Sequence, residues 1–339
     1  MHVKWSLGAL IVFLLGSFGS LPAEAITYGG SATGAQVTIS ATNTTIRANT
    51  GAVAISGGGA EASLLVGDIP GSATGGVVSL AAGVMHSSIV GLDATRAEAS
   101  MANVTLTISN NQITSDFIMA RGTASCGPAV SGDSVLTNLV INGQAITVTG
   151  NPNQTVTLPH GTAVINEQTS YIVGTSAAIN VYALHVMTVD PITGQPVADA
   201  VLAAAQPQID CTAGAPPSGG FGTGGGWVDG NVSGKANFGV VGGIQPDGSF
   251  RGHVVFDDRS VSFSMKSTSI TDVQSSGCQT TIQGKWDNSG VETNFTVLIN
   301  DGGEPGAGND SFSLDATVYV NGNLTLRGGN IQSHPNCTP

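Results

Sequence analysis

The sequence has few charged side chains and few aromatic ones. Only 9% of the 339 residues are Asp, Glu, Lys or Arg, and only 5% are Phe, Trp or Tyr. The ten basic residues form no cluster, and a formal net charge of −12 repels phosphate backbones and anionic membrane surfaces. We therefore expect no nucleic-acid partner. Disorder is not expected either, because 41% of the residues are hydrophobic and many of them are β-branched.

The apolar run near the start of the chain is too short to span a membrane. Residues 7–15 supply about half of the roughly 20 residues that a spanning helix needs. The run follows Lys4 and precedes Ala23-Glu24-Ala25, which has the small-x-small pattern of a signal-peptidase site. Residues 1–25 are therefore predicted to be a secretory signal peptide. We expect a secreted, extracellular protein, with association to the cell surface as the alternative and no transmembrane segment after the signal is removed.

Cysteine is scarce and never occurs as CxxC, which argues against thiolate zinc sites and redox catalysis. In an exported chain, four cysteines predict a disulfide framework. Four cysteines allow three connectivities, and sequence alone does not choose among them. The domain division given below favours one bridge in each half, Cys126–Cys211 and Cys278–Cys337.

No segment shows a sustained helical stripe of apolar residues. Instead, apolar and polar residues alternate, as in Val104, Leu106 and Ile108, and this period of two is typical of antiparallel strands with one buried face. Asn142-Gly143 and Asn321-Gly322 predict hairpin turns, because type I′ turns need positive φ values. The alanine-rich residues 196–206 are the one candidate for a short helix. The predicted fold class is all-β, with two antiparallel β-sandwich or barrel-like domains.

A Gly/Pro-rich segment divides the chain. Residues 213–223 contain two prolines and a series of glycines that helices and central strands tolerate poorly, so we predict a linker there. It would separate a β domain over residues 26–212 from a second β domain over residues 224–337.

Motifs of known catalytic chemistry were not found in the sequence. It has no HxH, HExxH or G-x-S-x-G pattern, and His185 and His253 lie in alternating segments where ordinary sheet residues are expected. We therefore predict a protein that is not an enzyme. A hydrolase whose Ser/His/acid triad is assembled from distant residues remains an alternative.

Two features suggest a binding role. Trp227 and Trp286 are the tryptophans that follow the predicted leader; each either closes the end of a sandwich or serves as a platform for a ligand such as a sugar. The loop over residues 300–310 carries oxygen-rich side chains. They predict either a calcium site or a loop that is stabilised by its own side-chain hydrogen bonds. These side chains belong to Asp301, Glu304, Asn309 and Asp310.

Two series of short sequence segments carry a resemblance to known families. In residues 26–212 the chain resembles the choice-of-anchor P family of exported bacterial proteins, and after residue 224 it resembles the post-COAP-1 domain that commonly follows it. The first series is Asn103-Val104-Thr105-Leu106, Thr114-Ser115-Asp116-Phe117, Gly127-Pro128-Ala129-Val130, Leu139-Val140-Ile141-Asn142-Gly143 and Val164-Ile165-Asn166-Glu167-Gln168. The second is Gly224-Gly225-Gly226-Trp227, Asn237-Phe238-Gly239-Val240, Asn300-Asp301-Gly302-Gly303-Glu304-Pro305 and Gly328-Gly329-Asn330-Ile331-Gln332.

The resemblance implies a location more than an activity. Members of the family differ in C-terminal tails that tether them to the envelope, and the resemblance supplies no catalytic residues. Here Thr338-Pro339 follow Cys337 without a sorting motif, so we expect release or retention by an extracellular or envelope component. The predicted role is structural, adhesive or ligand-binding. The alternatives are a pair of carbohydrate-binding modules and the hydrolase mentioned above.

Overall fold

The computed structural model describes residues 26–48, 52–55, 58–92, 94–211, 220–244, 249–334 and 337. The predicted signal peptide and most of the predicted linker lie outside these residues. The described residues form β-strands and two short 3₁₀ turns, Ser40–Thr42 and Gly71–Thr74, so the prediction of an all-β protein is confirmed.

The first half of the chain contributes sixteen strands to the described structure. They are β1 (Thr27–Ile39), β2 (Thr44–Arg47), β3 (Ala52–Ile55), β4 (Gly58–Leu64), β5 (Gly67–Ile69), β6 (Val78–Ala82), β7 (Met85–Gly91), β8 (Ala94–Ile108), β9 (Asn111–Ser125), β10 (Ala129–Thr137), β11 (Val140–Ile141), β12 (Gln144–Ala145), β13 (Gln154–Leu158), β14 (Gly161–Val173), β15 (Ser176–Val189) and β16 (Pro196–Asp210).

The second half contributes nine. They are β17 (Phe221–Asp229), β18 (Lys235–Ile244), β19 (Phe250–Asp258), β20 (Phe263–Ser276), β21 (Gln279–Asn288), β22 (Val291–Asn300), β23 (Ser311–Asp315), β24 (Leu324–Thr325) and β25 (Gly328–His334).

The first half is a sandwich of two antiparallel sheets. Sheet A has the order β13-β14-β15-β16-β1-β2, with β3 also paired to β1. Sheet B has the order β12-β11-β9-β8-β6-β5, with β10 on β9, β7 on β8 and β4 on β7. Apolar side chains from both sheets meet in one core, as the alternation of Val104, Leu106 and Ile108 predicts. Small alanines such as Ala99 and Ala200 let the two sheets approach closely.

The second half is a single curled sheet, sheet C, with the order β24-β23-β22-β21-β20-β19-β18-β17-β25. Its concave face encloses a separate core that includes stacked Phe238 and Phe312. Its convex face lies on sheet B, so that the described structure has three layers. A Cβ atom placed on Gly239 would be 2.9 Å from the Cβ of His86, and one on Gly225 would be 2.5 Å from Ser100 Oγ. Glycine is therefore required where sheets B and C touch.

Three predictions are corrected here. The linker over residues 213–223 is wrong from Phe221 onward, because β17 begins there and its glycines are buried between β18 and β25. The alanine-rich residues 196–206 form a buried strand rather than a helix. The hairpin turn predicted at Asn321-Gly322 lies earlier in the chain, because β23 ends at Asp315 and Asp315 pairs with Val320. By contrast, Asn142 and Gly143 both have positive φ between β11 and β12, as predicted.

Candidate functional site

The four cysteines form the two predicted bridges, Cys126–Cys211 and Cys278–Cys337. Cys126 follows β9 of sheet B and Cys211 follows β16 of sheet A, so the first bridge ties the two layers of the sandwich together. The second bridge joins the β20–β21 turn to the end of the described chain. This second bridge lies beside the loop between β22 and β23, where the backbone N–H of Asp301 donates to the carbonyl of Cys278 at 2.9 Å.

The two predicted tryptophan platforms do not face an open cleft. Trp286 is only 4% exposed and lies in the core of sheet C with its ring edge-on to Phe263. Trp227 is half-buried between sheets B and C, where it packs near Phe117 and carries Lys235 Nζ 4.6 Å from its ring centre. A role in closing the packed layers therefore accounts for both side chains.

The predicted calcium loop is held by its own hydrogen bonds. Asp310 accepts the backbone N–H of Gly302 at 2.9 Å through one oxygen and that of Ile331 at 2.7 Å through the other. Asp301 likewise accepts two backbone N–H groups, one from Gly303 and one from Ser333. Burial raises the pKa of Asp310 to about 6, against the lowering effect of these bonds.

The remaining members of that loop also have partners. Asn309 Nδ2 donates to the carbonyl of Pro305 at 2.8 Å. Glu304 Oε1 accepts from Arg121 Nη1 at 3.0 Å and from Asn330 Nδ2 at 3.2 Å. The four side chains thus stabilise the loop and attach it to sheet B. Within the described residues no group of three His, Cys, Asp or Glu side chains has the spacing to hold a metal ion.

The interface between sheets B and C contains a buried polar group that the sequence analysis does not predict. His86 Nδ1 and His253 Nε2 are 2.8 Å apart and share a hydrogen bond, so His253 is not an ordinary sheet residue. Glu98 Oε1 lies 3.6 Å from the other nitrogen of His86. Burial lowers the pKa of His86 to about 3 and that of His253 well below its ordinary value, while it raises the pKa of Glu98 to about 7. Both histidines are therefore neutral at pH 7.

Arg121 links the interface between sheets B and C to strand β10 and to the loop between β22 and β23. Its guanidinium is almost fully buried, donates to both oxygens of Asp133 on β10, and reaches Glu304 in the β22–β23 loop. Burial disfavours the charged guanidinium, but Asp133, Glu304 and Glu98 outweigh that effect and raise the pKa of Arg121. Arg121 is therefore a permanent cation that bonds the two halves of the chain.

A second charged cluster lies on the outer face of sheet A, the face turned away from sheet B. His185 of β15 is held between Glu167 of β14, at its Nδ1, and Asp199 of β16, 2.9 Å from its Nε2. Burial lowers the pKa of His185, but hydrogen bonds and charges from Asp199 and Glu167 outweigh it and raise that pKa. Each ring nitrogen of His185 therefore has a carboxylate partner within the protein.

Beside this cluster, the same face carries rows of uncharged side chains at one end of the sheet. Cross-strand pairing places Tyr171, Ala178, Gln208 and Gly29 in one row across β14, β15, β16 and β1. The neighbouring row contains Thr169, Asn180, Gln206 and Ser31. An open groove with a volume of about 480 Å³ lies over the first of these rows, and its lining also includes Asn180 of the second row and Thr27, Ser176 and Asp210 of the row on the other side. We refer to it as the sheet A groove.

No local motif in the sequence marks these groove residues. Alternation along β15 places Asn180 on the same face as Ala178, and this part is readable from the sequence. The row is completed only because β1 pairs with β16, which brings Gly29 opposite Gln208. A pairing between strands so far apart in the chain leaves no local signal in the sequence.

Among the residues that the structure describes, no helix is long and apolar enough to cross a membrane. No protein-family model, curated protein or solved structure was found to match this chain.

Proposed function

We propose that this protein is exported and acts outside the cell in a structural, adhesive or ligand-binding role rather than a catalytic one. The pair of disulfides carries the proposal, because all four cysteines are bonded and none is left as a free thiol. Such bridges form and persist in oxidising compartments. The predicted signal peptide and the resemblance to the choice-of-anchor P family agree with this location.

A binding role is favoured over catalysis by the way three histidines are used. Both ring nitrogens of His185 are occupied by hydrogen bonds to carboxylates, so neither faces a nucleophile. His86 and His253 bond to each other inside the interface between sheets B and C, out of reach of a substrate. The sheet A groove lies on the outer face of sheet A, away from His86 and His253, and its open form suits binding.

The location is tested by expressing the full chain in a bacterium that has the general secretory pathway. We expect a mature protein that begins at Ile26, lies outside the cytoplasm and contains both bridges on non-reducing peptide mapping. A Leu14→Arg variant, which disrupts the apolar run of the leader, is the control and should stay inside the cell. Wild-type protein retained in the cytoplasm with four reduced thiols would overturn the proposal.

The role is tested by co-sedimentation of the purified mature protein with isolated envelopes and extracellular polymer of the producing organism. We expect saturable binding. The non-catalytic assignment would be wrong if the protein turned over a glycoside, ester or peptide substrate and His185→Gln abolished that turnover.

A further inference from the structure

The sheet A groove has the form of a shallow binding site. It lies at the end of sheet A where β14 turns into β15, and its floor is low because Gly29 and Ala178 carry little or no side chain. Tyr171 rises on one side and is 58% exposed, and Gln208 is exposed in the same row. A tyrosine beside a floor of small residues offers an apolar ring surface with a polar tip.

The neighbouring row orients hydrogen-bonding groups. Gln206 Nε2 donates to Asn180 Oδ1 at 3.1 Å, and Ser31 Oγ donates to Gln206 Oε1 at 3.1 Å. These bonds fix the rotamers of Asn180 and Gln206 and leave the Asn180 amide N–H₂ to donate outward. Fixed amides reduce the entropy that a ligand would otherwise have to remove on binding.

The charges around the groove select against anions. Asp210 is the one ionisable carboxylate among the residues that line it, and that carboxylate accepts a hydrogen bond from Thr175 at 2.9 Å. None of the lining residues is Lys or Arg. The chain as a whole carries a formal charge of −12. A ligand with carboxylate or sulfate groups would therefore be repelled.

We infer that the sheet A groove binds a neutral polysaccharide chain. Sugar hydroxyls match the amide and hydroxyl groups that line the groove, and the less polar face of a sugar ring matches the ring of Tyr171. The groove is open to solvent rather than enclosed, which a polymer needs in order to enter it. This inference rests on the proposed extracellular binding role and adds to it the site and the class of ligand.

The experiment is affinity electrophoresis of the mature protein. Gels contain dextran, amylose, xylan or mixed-linkage β-glucan as neutral polymers, and alginate or polygalacturonate as anionic ones. We expect at least one neutral polymer to retard the protein and both anionic polymers to leave its mobility unchanged. Tyr171→Ala and Asn180→Ala should each weaken the retarding interaction about tenfold, which corresponds to about 1.4 kcal/mol.

Ile192→Ala is the matched control. Ile192 is 92% exposed in the loop that joins β15 to β16, at the opposite end of β15 from the groove, so its truncation should not alter binding. Equal melting temperatures for the three variants and the wild type would show that the fold is intact.

The inference is overturned by any of three results: no retardation by a neutral polymer, retardation by the anionic polymers, or unchanged binding in both groove variants. None of these results bears on the location of the protein or on its co-sedimentation with envelopes. Failure of the site assignment is therefore distinguishable from failure of the proposed function.

Discussion

Buried glycines show how single residues determine which strands can touch. A Cβ atom placed on Gly226 of β17 would lie 2.2 Å from the carbonyl oxygen of Gly328 in β25. Because the obstacle is backbone, it cannot move aside as a flexible side chain would. The close pairing of β17 with β25 therefore depends on glycine at this position.

Gly226→Ala should accordingly destabilise the protein by about 1–3 kcal/mol, the usual range for overpacking. Gly322→Ala is the control, because Gly322 has open space where a Cβ would lie and its φ is not positive. We expect the control to change the free energy of unfolding by less than about 0.5 kcal/mol. Urea denaturation measures both, and equal effects would contradict the steric explanation.

The contribution of His185 to the stability of the protein depends on pH. Its pKa is raised in the folded protein, so the stabilisation that it supplies is complete below its unfolded pKa of about 6.5 and is lost as the pH rises through the folded pKa. His185→Gln should therefore cost about 1 kcal/mol at pH 5.5, a value reduced by the partial exposure of Asp199, and less at pH 9. Urea denaturation at the two pH values checks this. An equal loss at both would show that the charge of His185 does not matter.

At the scale of elements, the β22–β23 loop illustrates how composition alone leaves two interpretations open. Its acidic side chains are compatible with a calcium site or with a loop that bonds to itself, and Asp301 and Asp310 use their oxygens to accept backbone N–H groups. A loop that satisfies its own polar groups needs no ion to hold its shape.

We therefore expect chelation with EDTA to leave the melting temperature of the protein unchanged. Asp310→Asn should lower the free energy of unfolding by about 1–3 kcal/mol, because an amide cannot accept both N–H groups through oxygen. A fall in melting temperature on chelation that calcium restores would show that the loop is a metal site after all.

Local patterns predicted some elements and not others, for physical reasons. Asn142-Gly143 gives a hairpin turn because both residues adopt positive φ without further help. Asn321 instead pairs with Leu314 through backbone and side chain, so the turn moves to Thr317, whose φ is 69°. The glycine-rich start of β17 forms a strand only because β18 and β25 cover it on both sides. Such tertiary effects lie outside what a short segment can reveal.

At the scale of the molecule, the alternation of side chains predicted the sandwich core but not the interface between sheets B and C. Where sheet C covers sheet B, a strand buries both of its faces: in β8, Ala97 and Ala99 face sheet A, whereas Glu98 and Ser100 face sheet C. A polar residue such as Glu98 reads as solvent-facing in the sequence. Its burial becomes evident only when sheet C is placed over it.

This interface predicts that the two halves unfold together. Arg121→Met should destabilise the protein by about 2 kcal/mol or more, because it removes the cation beside buried Glu98 and the bonds to Asp133 and Glu304. Arg327→Met is the control, since Arg327 makes a solvent-exposed pair with Asp229 whose loss should change stability little. Calorimetry should show one transition in the wild type. Two well-separated wild-type transitions would mean that the halves are independent.

The double coverage of sheet B has a consequence for how the chain is made and handled. A fragment that stopped at Cys211 would retain its inner core yet leave Phe117, Met119 and the polar group around Glu98 without their cover. Such a surface is prone to aggregation. While the chain folds, the leading half therefore exposes this surface until the trailing half packs over it, and recombinant work is best served by keeping both halves in one polypeptide.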